Sequence, residues 1–238
     1  MEIIPSIDLR EGECARILGA DENTQHIRSM DVVEQALILR DLGARWVHIT
    51  DLDGRFSGHL CNLRIVQEIL KKSGLRMQHS GGVRKLEDAE TLLSLGVDRV
   101  VVGINFLRNR EQTKQAIQRF GNRIAPGLDG KNGMVANEGF EMAVETSVIS
   151  LLKDMEALGV ERFVYTDRRR VGAMQGPNFE GISEVLPGTR MKAIVAGGVK
   201  SYDDIRRLKE MGVEAVIIGK AIYMGSIELK KAEELARA

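Results

Sequence analysis

A chain of 238 residues with 43% hydrophobic and 29% charged side chains carries enough apolar material for a sizeable core. Its 34 basic residues balance 34 acidic ones, which excludes nucleic acid or an anionic membrane as a partner held by bulk electrostatics and makes any anion site local. Cys14 and Cys61 are too few for a disulfide framework, and "MEIIPSIDLREGE" has neither a basic leader nor a long apolar run, so a cytoplasmic chain with reduced thiols and no membrane span is expected.

The first apolar run, "EIIPSID" (2–8), predicts a strand, and the long polar stretch "GADENTQHIRSM" (19–30) reads as a lid. "DVVEQALILRDLG" (31–43) is apolar at i, i+3, i+4 and i+7 and closes on glycine, as a helix does. Strands are expected at "RWVHIT" (45–50), "LRMQHS" (75–80) and "DRVVVG" (98–103), with "LRNRE" (107–111) as the solvated start of a helix. The second half gives strands at "RIAPGLD" (123–129), "RFVYTD" (162–167), "KAIVAG" (192–197) and "EAVIIG" (214–219), and a helix at "SVISLLKDMEALG" (147–159). "DRRR" (167–170) reads as a solvated basic loop that also suits an anionic ligand. Runs apolar at nearly every position fit strands covered on both faces, as in a parallel sheet. Eight such strand–helix units in a single domain, 1–238, predict a (β/α)8 TIM barrel. A doubly wound open sheet alternates equally well but leaves an internal repeat unexplained.

That repeat runs through the chain. "HSGGVRKLEDAETLLSLGVDRVVVGINFL" (79–107) returns as "VAGGVKSYDDIRRLKEMGVEAVIIGKAIY" (195–223), and "LGARWVHITD" (42–51) returns as "LGVERFVYTD" (158–167), both 116 residues on. "PSIDLREG" (5–12) faces "PGLDGKNG" (126–133) at an offset of 121. Two half-barrels, about 1–121 and 122–238, are expected, and neither can close a sheet alone.

Loops after the strands form the active face of such barrels. Gly81, Gly82 and Gly103 follow strands 3 and 4, and Gly197, Gly198 and Gly219 follow strands 7 and 8. Glycine lets backbone approach a ligand, and free N–H groups at a helix start bind anions, so the two sets read as two phosphate cradles on opposite sides of the mouth. The plainer reading is that these glycines end strands. Two cradles imply a substrate phosphorylated at both ends. Asp8 and Asp129, ending strands 1 and 5, are candidates for general base and general acid. Thr166 and Asp51 are further polar candidates on that face, and His79 and Ser80 adjoin the first cradle. The four histidines, at 26, 48, 59 and 79, lack ligand spacing, so no metal is expected.

"IIPSIDLREGE", "HITDLDGRFSGHLCNL", "GGVRKLEDAETLLSLGVDRVVVG", "LDGKNGMVANEGF" and "IVAGGVKSYDDIRRLKEMGVEAVIIGKAIY" resemble the HisA family of histidine-biosynthesis isomerases over nearly the whole chain. The resemblance implies a barrel with half-barrel symmetry and an Amadori rearrangement of an aminoaldose to an aminoketose. Its substrate would be ProFAR, a phosphorylated sugar with two phosphates, with no cofactor, and a monomer is expected. It implies Asp8 as the base that moves the sugar C2 proton, Asp129 as the family's strand-5 aspartate and Thr166 as the strand-6 threonine that helps hold it. Gly81, Gly82 and Gly103 would hold one phosphate, and Gly197, Gly198, Gly219 and Lys220 would mark the other site.

The chain departs from the family pattern at Ser80, where a glycine is usual, and at Ile104-Asn105, where a threonine follows the glycine. Val171-Gly172-Ala173 replaces Asp-Gly-Thr in the loop after strand 6, and Phe140 replaces a tryptophan that would stack on the heterocycle. With valine at 171, Asp129, expected beside apolar groups, is left as the proton donor. The alternatives are a paralogous barrel for a one-phosphate substrate such as phosphoribosylanthranilate, a HisF-like cyclase–lyase fed ammonia by a glutaminase, and a non-catalytic phosphate-binding barrel. "PSIDL" and the chain length favour the isomerase over the cyclase.

Overall fold

In a computed structural model that describes residues 1–17, 24–26, 31–131, 134–135 and 147–238, the apolar runs become eight strands. They are β1 (Glu2–Arg10), β2 (Trp46–Asp51), β3 (Arg76–Ser80) and β4 (Arg99–Val102). The second four are β5 (Ile124–Lys131), β6 (Arg162–Asp167), β7 (Lys192–Ala196) and β8 (Ala215–Ile218). Each pairs in parallel with the next, and β8 returns to β1 with Val216 opposite Ile3 and Ile217 opposite Ile4. The sheet is therefore closed, which removes both edges and rules out the open doubly wound arrangement.

Helices α1 (Val32–Asp41), α2 (Leu63–Ser73), α3 (Leu86–Leu95), α4 (Arg110–Phe120), α5 (Val148–Ala157), α6 (Phe179–Val185), α7 (Tyr202–Glu210) and α8 (Leu229–Arg237) surround the barrel. Five of them start on a side-chain cap; Asp31 Oδ1, for example, accepts from the Val33 and Glu34 amides, and Ser147 Oγ accepts from Ser150 N. No helix among the described residues is long and apolar enough to cross a membrane.

Strand parity divides the core in two. Ile3, Ile7 and Leu9 of β1 join the main cluster that packs under the helices, while Ile4 joins Trp46, Val101, Val164, Ile194 and Ile217 inside the barrel. The same alternation that turns Ile4 inward turns Ser6 and Asp8 inward above it. At the closed end, the guanidinium groups of Arg76 and Arg99 lie over the Trp46 ring, 4.0 and 4.7 Å from its centre. Arg162 beside them pairs with Glu214 at 3.0 Å.

The sequence repeat recurs as hydrogen bonds. Asn62 Nδ2 donates to Asp51 Oδ1 at 2.7 Å, and 116 residues on Asn178 Nδ2 donates to Asp167 Oδ2 at 2.7 Å. Asp88 accepts from the amides of Arg84 and Lys85 as Asp204 does from those of Lys200 and Ser201. Glu13–Ile17 folds back antiparallel on β1 and pairs with Thr24–His26. Apart from that strand, the 19–30 stretch read as a lid lies outside the described residues, as does Phe140.

Candidate active site

A cavity of about 230 Å³ opens at the C-terminal ends of the strands, and Asp8 and Asp129 both line it. Each is set against a threonine by strand register: Asp8 faces Thr50 on β2, and Asp129 faces Thr166 on β6. All four line the cavity. Burial pushes the Asp8 carboxyl up to about 6, while a hydrogen bond from Thr50 and the charge of Arg55 pull it back.

Asp129 has different company from the apolar groups expected of it. Its Oδ2 is 3.6 Å from Arg55 Nη2 and 3.9 Å from Arg168 Nε, so it is an ion-paired carboxylate. The two arginines come from matching platforms. Arg55 lies on the short helix Leu52–Ser57, which Asp51 caps by accepting from Gly54 N at 2.9 Å. Arg168 opens the turn Arg168–Arg170, whose cap is Asp167. The basic run after β6 is thus not a plain solvated loop: Arg168 reaches the site and Arg169 pairs with Asp167 at 3.0 Å.

Asp51, expected on the active face, is instead buried and turned away from the cavity. Its carboxylate also accepts from the Cys61 and Asn62 amides and from Asn62 Nδ2. His79 faces away as well, one residue out of phase with Ser80, and burial pushes its pKa down to about 4. Ser80 does line the cavity, beside His48.

Of the cradle glycines, Gly81, Gly103, Gly197, Gly198 and Gly219 line the cavity, and Gly82 does not. The backbone itself demands glycine at Gly82 and Gly198. Their φ values are +76° and +86°, and an added Cβ would lie 2.5 Å from the His59 carbonyl oxygen and 2.4 Å from that of Gly176. The strand-ending reading therefore gives both Gly82 and Gly198 a structural reason that stands beside any ligand contact. Lys220 lines the second side, and its Nζ donates to Gly172 O at 2.7 Å, tying the loop after β6 across that side. Val171 of that loop forms an apolar part of the wall. Among the described residues, no three His, Cys, Asp or Glu side chains come together as a metal site.

Sequence reading missed Thr50, Arg55 and His48 as cavity residues, while Arg168, which reaches Asp129, lies in the basic run already read as suiting an anionic ligand. Thr50 was legible as the twin of Thr166; Arg55 gives no local signal, because its reach depends on how the barrel closes.

A family model described as histidine biosynthesis protein matches residues 2–228. The chain is 39% identical over 237 residues to a protein of Acetivibrio thermocellus named 1-(5-phosphoribosyl)-5-((5-phosphoribosylamino)methylideneamino)imidazole-4-carboxamide isomerase, covering all of both chains. It is 39% identical to the protein of that name from Thermoanaerobacter pseudethanolicus, again over the whole of both. The Pelotomaculum thermopropionicum protein of the same name is 41% identical over 239 aligned positions, which cover 99% of this chain and 92% of that one.

Proposed function

The chain belongs to the histidine biosynthesis protein family, and we propose that it is the isomerase its relatives are named for, ProFAR isomerase, rearranging a bis-phosphorylated aminoaldose to an aminoketose. The observation that carries the reading is the pair of carboxyls, Asp8 and Asp129, on facing strand ends of one cavity whose two sides are lined by glycine turns. In this reading Gly81 and Gly103 border one phosphate, and Gly197, Gly198, Gly219 and Lys220 the other. Gly82 supports the first turn from behind.

The chemistry needs two things. The furanose C1–O bond must break, with the ring oxygen gaining a proton and the nitrogen keeping its own, to give an open-chain protonated imine. A base must then take the C2 proton to leave an enaminol, and that proton must arrive at C1 as the C2 hydroxyl gives its proton to water and becomes a ketone. Asp8 is the base: raised to about 6, it is ionised at neutral pH yet basic enough to hold the proton in passage from C2 to C1. An ion-paired carboxylate accepts hydrogen bonds and holds no proton to give. Asp129 therefore acts as the anchor of Arg55 and Arg168, whose N–H groups stabilise charge on the departing ring oxygen while water supplies its proton. Thr166 beside Asp129 and Thr50 beside Asp8 orient the two carboxylates. This arrangement takes over what an acid in the loop after β6 would supply, where Val171 stands.

Steady-state assays of the purified chain on ProFAR, on phosphoribosylanthranilate, and on the aminoketose with ammonium test the reading. Turnover of ProFAR at a kcat/KM at least a hundredfold above the others is expected. Preference for either other substrate would transfer the chain to the one-phosphate isomerases or the cyclases, and silence on all three would leave a binding protein.

A further inference from the structure

His48 and Ser80 line the cavity but take no part in the proton transfers above, and behind them a chain of polar side chains runs down the inside of the barrel. Arg99, at the closed end beside Trp46, donates from Nη1 to Gln78 Oε1 at 2.8 Å. Gln78 Nε2 lies 2.9 Å from His48 Nδ1, and His48 Nε2 lies 3.1 Å from Ser80 Oγ. Gln78, His48 and Arg99 are all buried.

Each direction in the chain is forced by the one before it. A guanidinium has donors and no acceptor, so the Gln78 amide oxygen faces Arg99. The amide NH2 then faces His48, and because two donors cannot meet, His48 Nδ1 accepts. Burial, with the charges of His79 and Arg99 adding to it, pushes His48 down to about 3, so the ring is neutral and its one proton sits on Nε2. That proton goes to Ser80 Oγ. The Ser80 hydroxyl, already accepting, has the Ile49 carbonyl oxygen at 3.5 Å for its own proton, a contact at the outer limit of a hydrogen bond. The proton is thus available to the cavity, next to Gly81. A hydroxyl held as a donor suits a ligand atom that can only accept, and an ionised phosphate oxygen is such an atom.

We propose that Ser80 is a substrate-binding residue whose hydroxyl donates to a phosphate oxygen on the β3–β4 side of the cavity, and that Arg99, Gln78 and His48 are positioning residues that fix its direction from the closed end of the barrel. The identity of the ligand rests on the isomerase reading; the direction of the chain does not.

Nitrogen NMR of the protein labelled with ¹⁵N-histidine reads the chain directly. His48 should be a neutral Nε2–H ring from about pH 5 to 8, and inorganic phosphate should shift its Nε2 signal in the wild type but not in Ser80→Ala. A ring protonated on Nδ1, or one titrating in that range, overturns the proposal. In Gln78→Glu, whose carboxylate accepts from Arg99 and from the ring, the proton should move to Nδ1; a ring that keeps its proton on Nε2 shows that the chain does not set the direction and overturns it too. In assays, Ser80→Ala should raise KM for ProFAR roughly ten- to a hundredfold, the loss of one hydrogen bond to a charged group, with kcat within a few-fold. An unchanged KM in an active enzyme sinks the proposal. A wild type without turnover whose His48 still responds to phosphate through Ser80 sinks the isomerase reading alone.

Discussion

Asp8 holds its carboxyl against burial, and the sign of the cost is fixed by its pKa, raised from 3.8 to about 6. Below about pH 3 the group is protonated in both the folded and the unfolded chain, and burial of its charge costs nothing. Between about pH 4 and 6 the unfolded chain ionises while the folded one keeps its proton, so the cost grows across that window and stays constant above it. Asp8→Asn should therefore stabilise the fold near pH 7.5 by on the order of 1–3 kcal/mol and leave it nearly unchanged near pH 3, the lower figure applying because the carboxyl opens on the cavity. Urea melts at both pH values test this, and an equal gain at both would show that burial of the charge is not the cause. The same group sets the acid limb of catalysis. kcat/KM should rise with pH up to about 6 and level off above it, and Arg55→Ala should move that limb to higher pH, since the Arg55 charge lowers the Asp8 pKa. An acid limb that stays put in Arg55→Ala would remove Arg55 from the Asp8 field. On the other side of the cavity, Asp129→Asn should cost about 10²–10³ in kcat through the loss of the anchored arginines, while Val171→Asp changes it by no more than a few-fold. A hundredfold gain in Val171→Asp would mean that the loop after β6 is where the acid belongs and that the arginine pair has not replaced it.

At the scale of single elements, the turns that present the site are built by residues that do not touch it. Asp51 accepts from Gly54 N, Cys61 N, Asn62 N and Asn62 Nδ2 and is buried, so Asp51→Ala strands four donors. A loss of roughly 3–5 kcal/mol in denaturant melts is expected, and a loss under about 1 kcal/mol would contradict the capping account. Gly82→Ala should likewise lower stability, because its Cβ would meet the His59 carbonyl at 2.5 Å, and leave KM within a few-fold in the protein that folds. The strands themselves were legible because both faces are covered, so nearly every residue is apolar. The end of β1 was not: it continues to Arg10 because Glu13–Ile17 folds back on it, a pairing that periodicity does not record. Parity was the other limit. Thr50 and Asp51 are adjacent in sequence, yet one points into the cavity and the other under a helix, and the sequence reading chose Asp51.

At the scale of the molecule, closure converts a repeat into a site. Asp8 and Asp129 stand 121 positions apart and meet in one cavity only because β8 pairs with β1. Their presence at strand ends was readable from the repeat, as was the second glycine turn; Lys220, whose counterpart in the repeat is Ile104, was readable only from the family resemblance. Arg55 crossing from the end of β2 to Asp129 was not, since no neighbouring residue specifies it. We propose that the two halves, about 1–121 and 122–238, each contribute one carboxylate, one threonine and one arginine to a single reaction. That division of labour hangs on Asp8. The most direct test is kcat for Asp8→Asn with ProFAR, against the wild type at the same pH. The account predicts a fall of about 10²–10⁴ with KM held within a few-fold. A variant that turns over at the wild-type rate would contradict it.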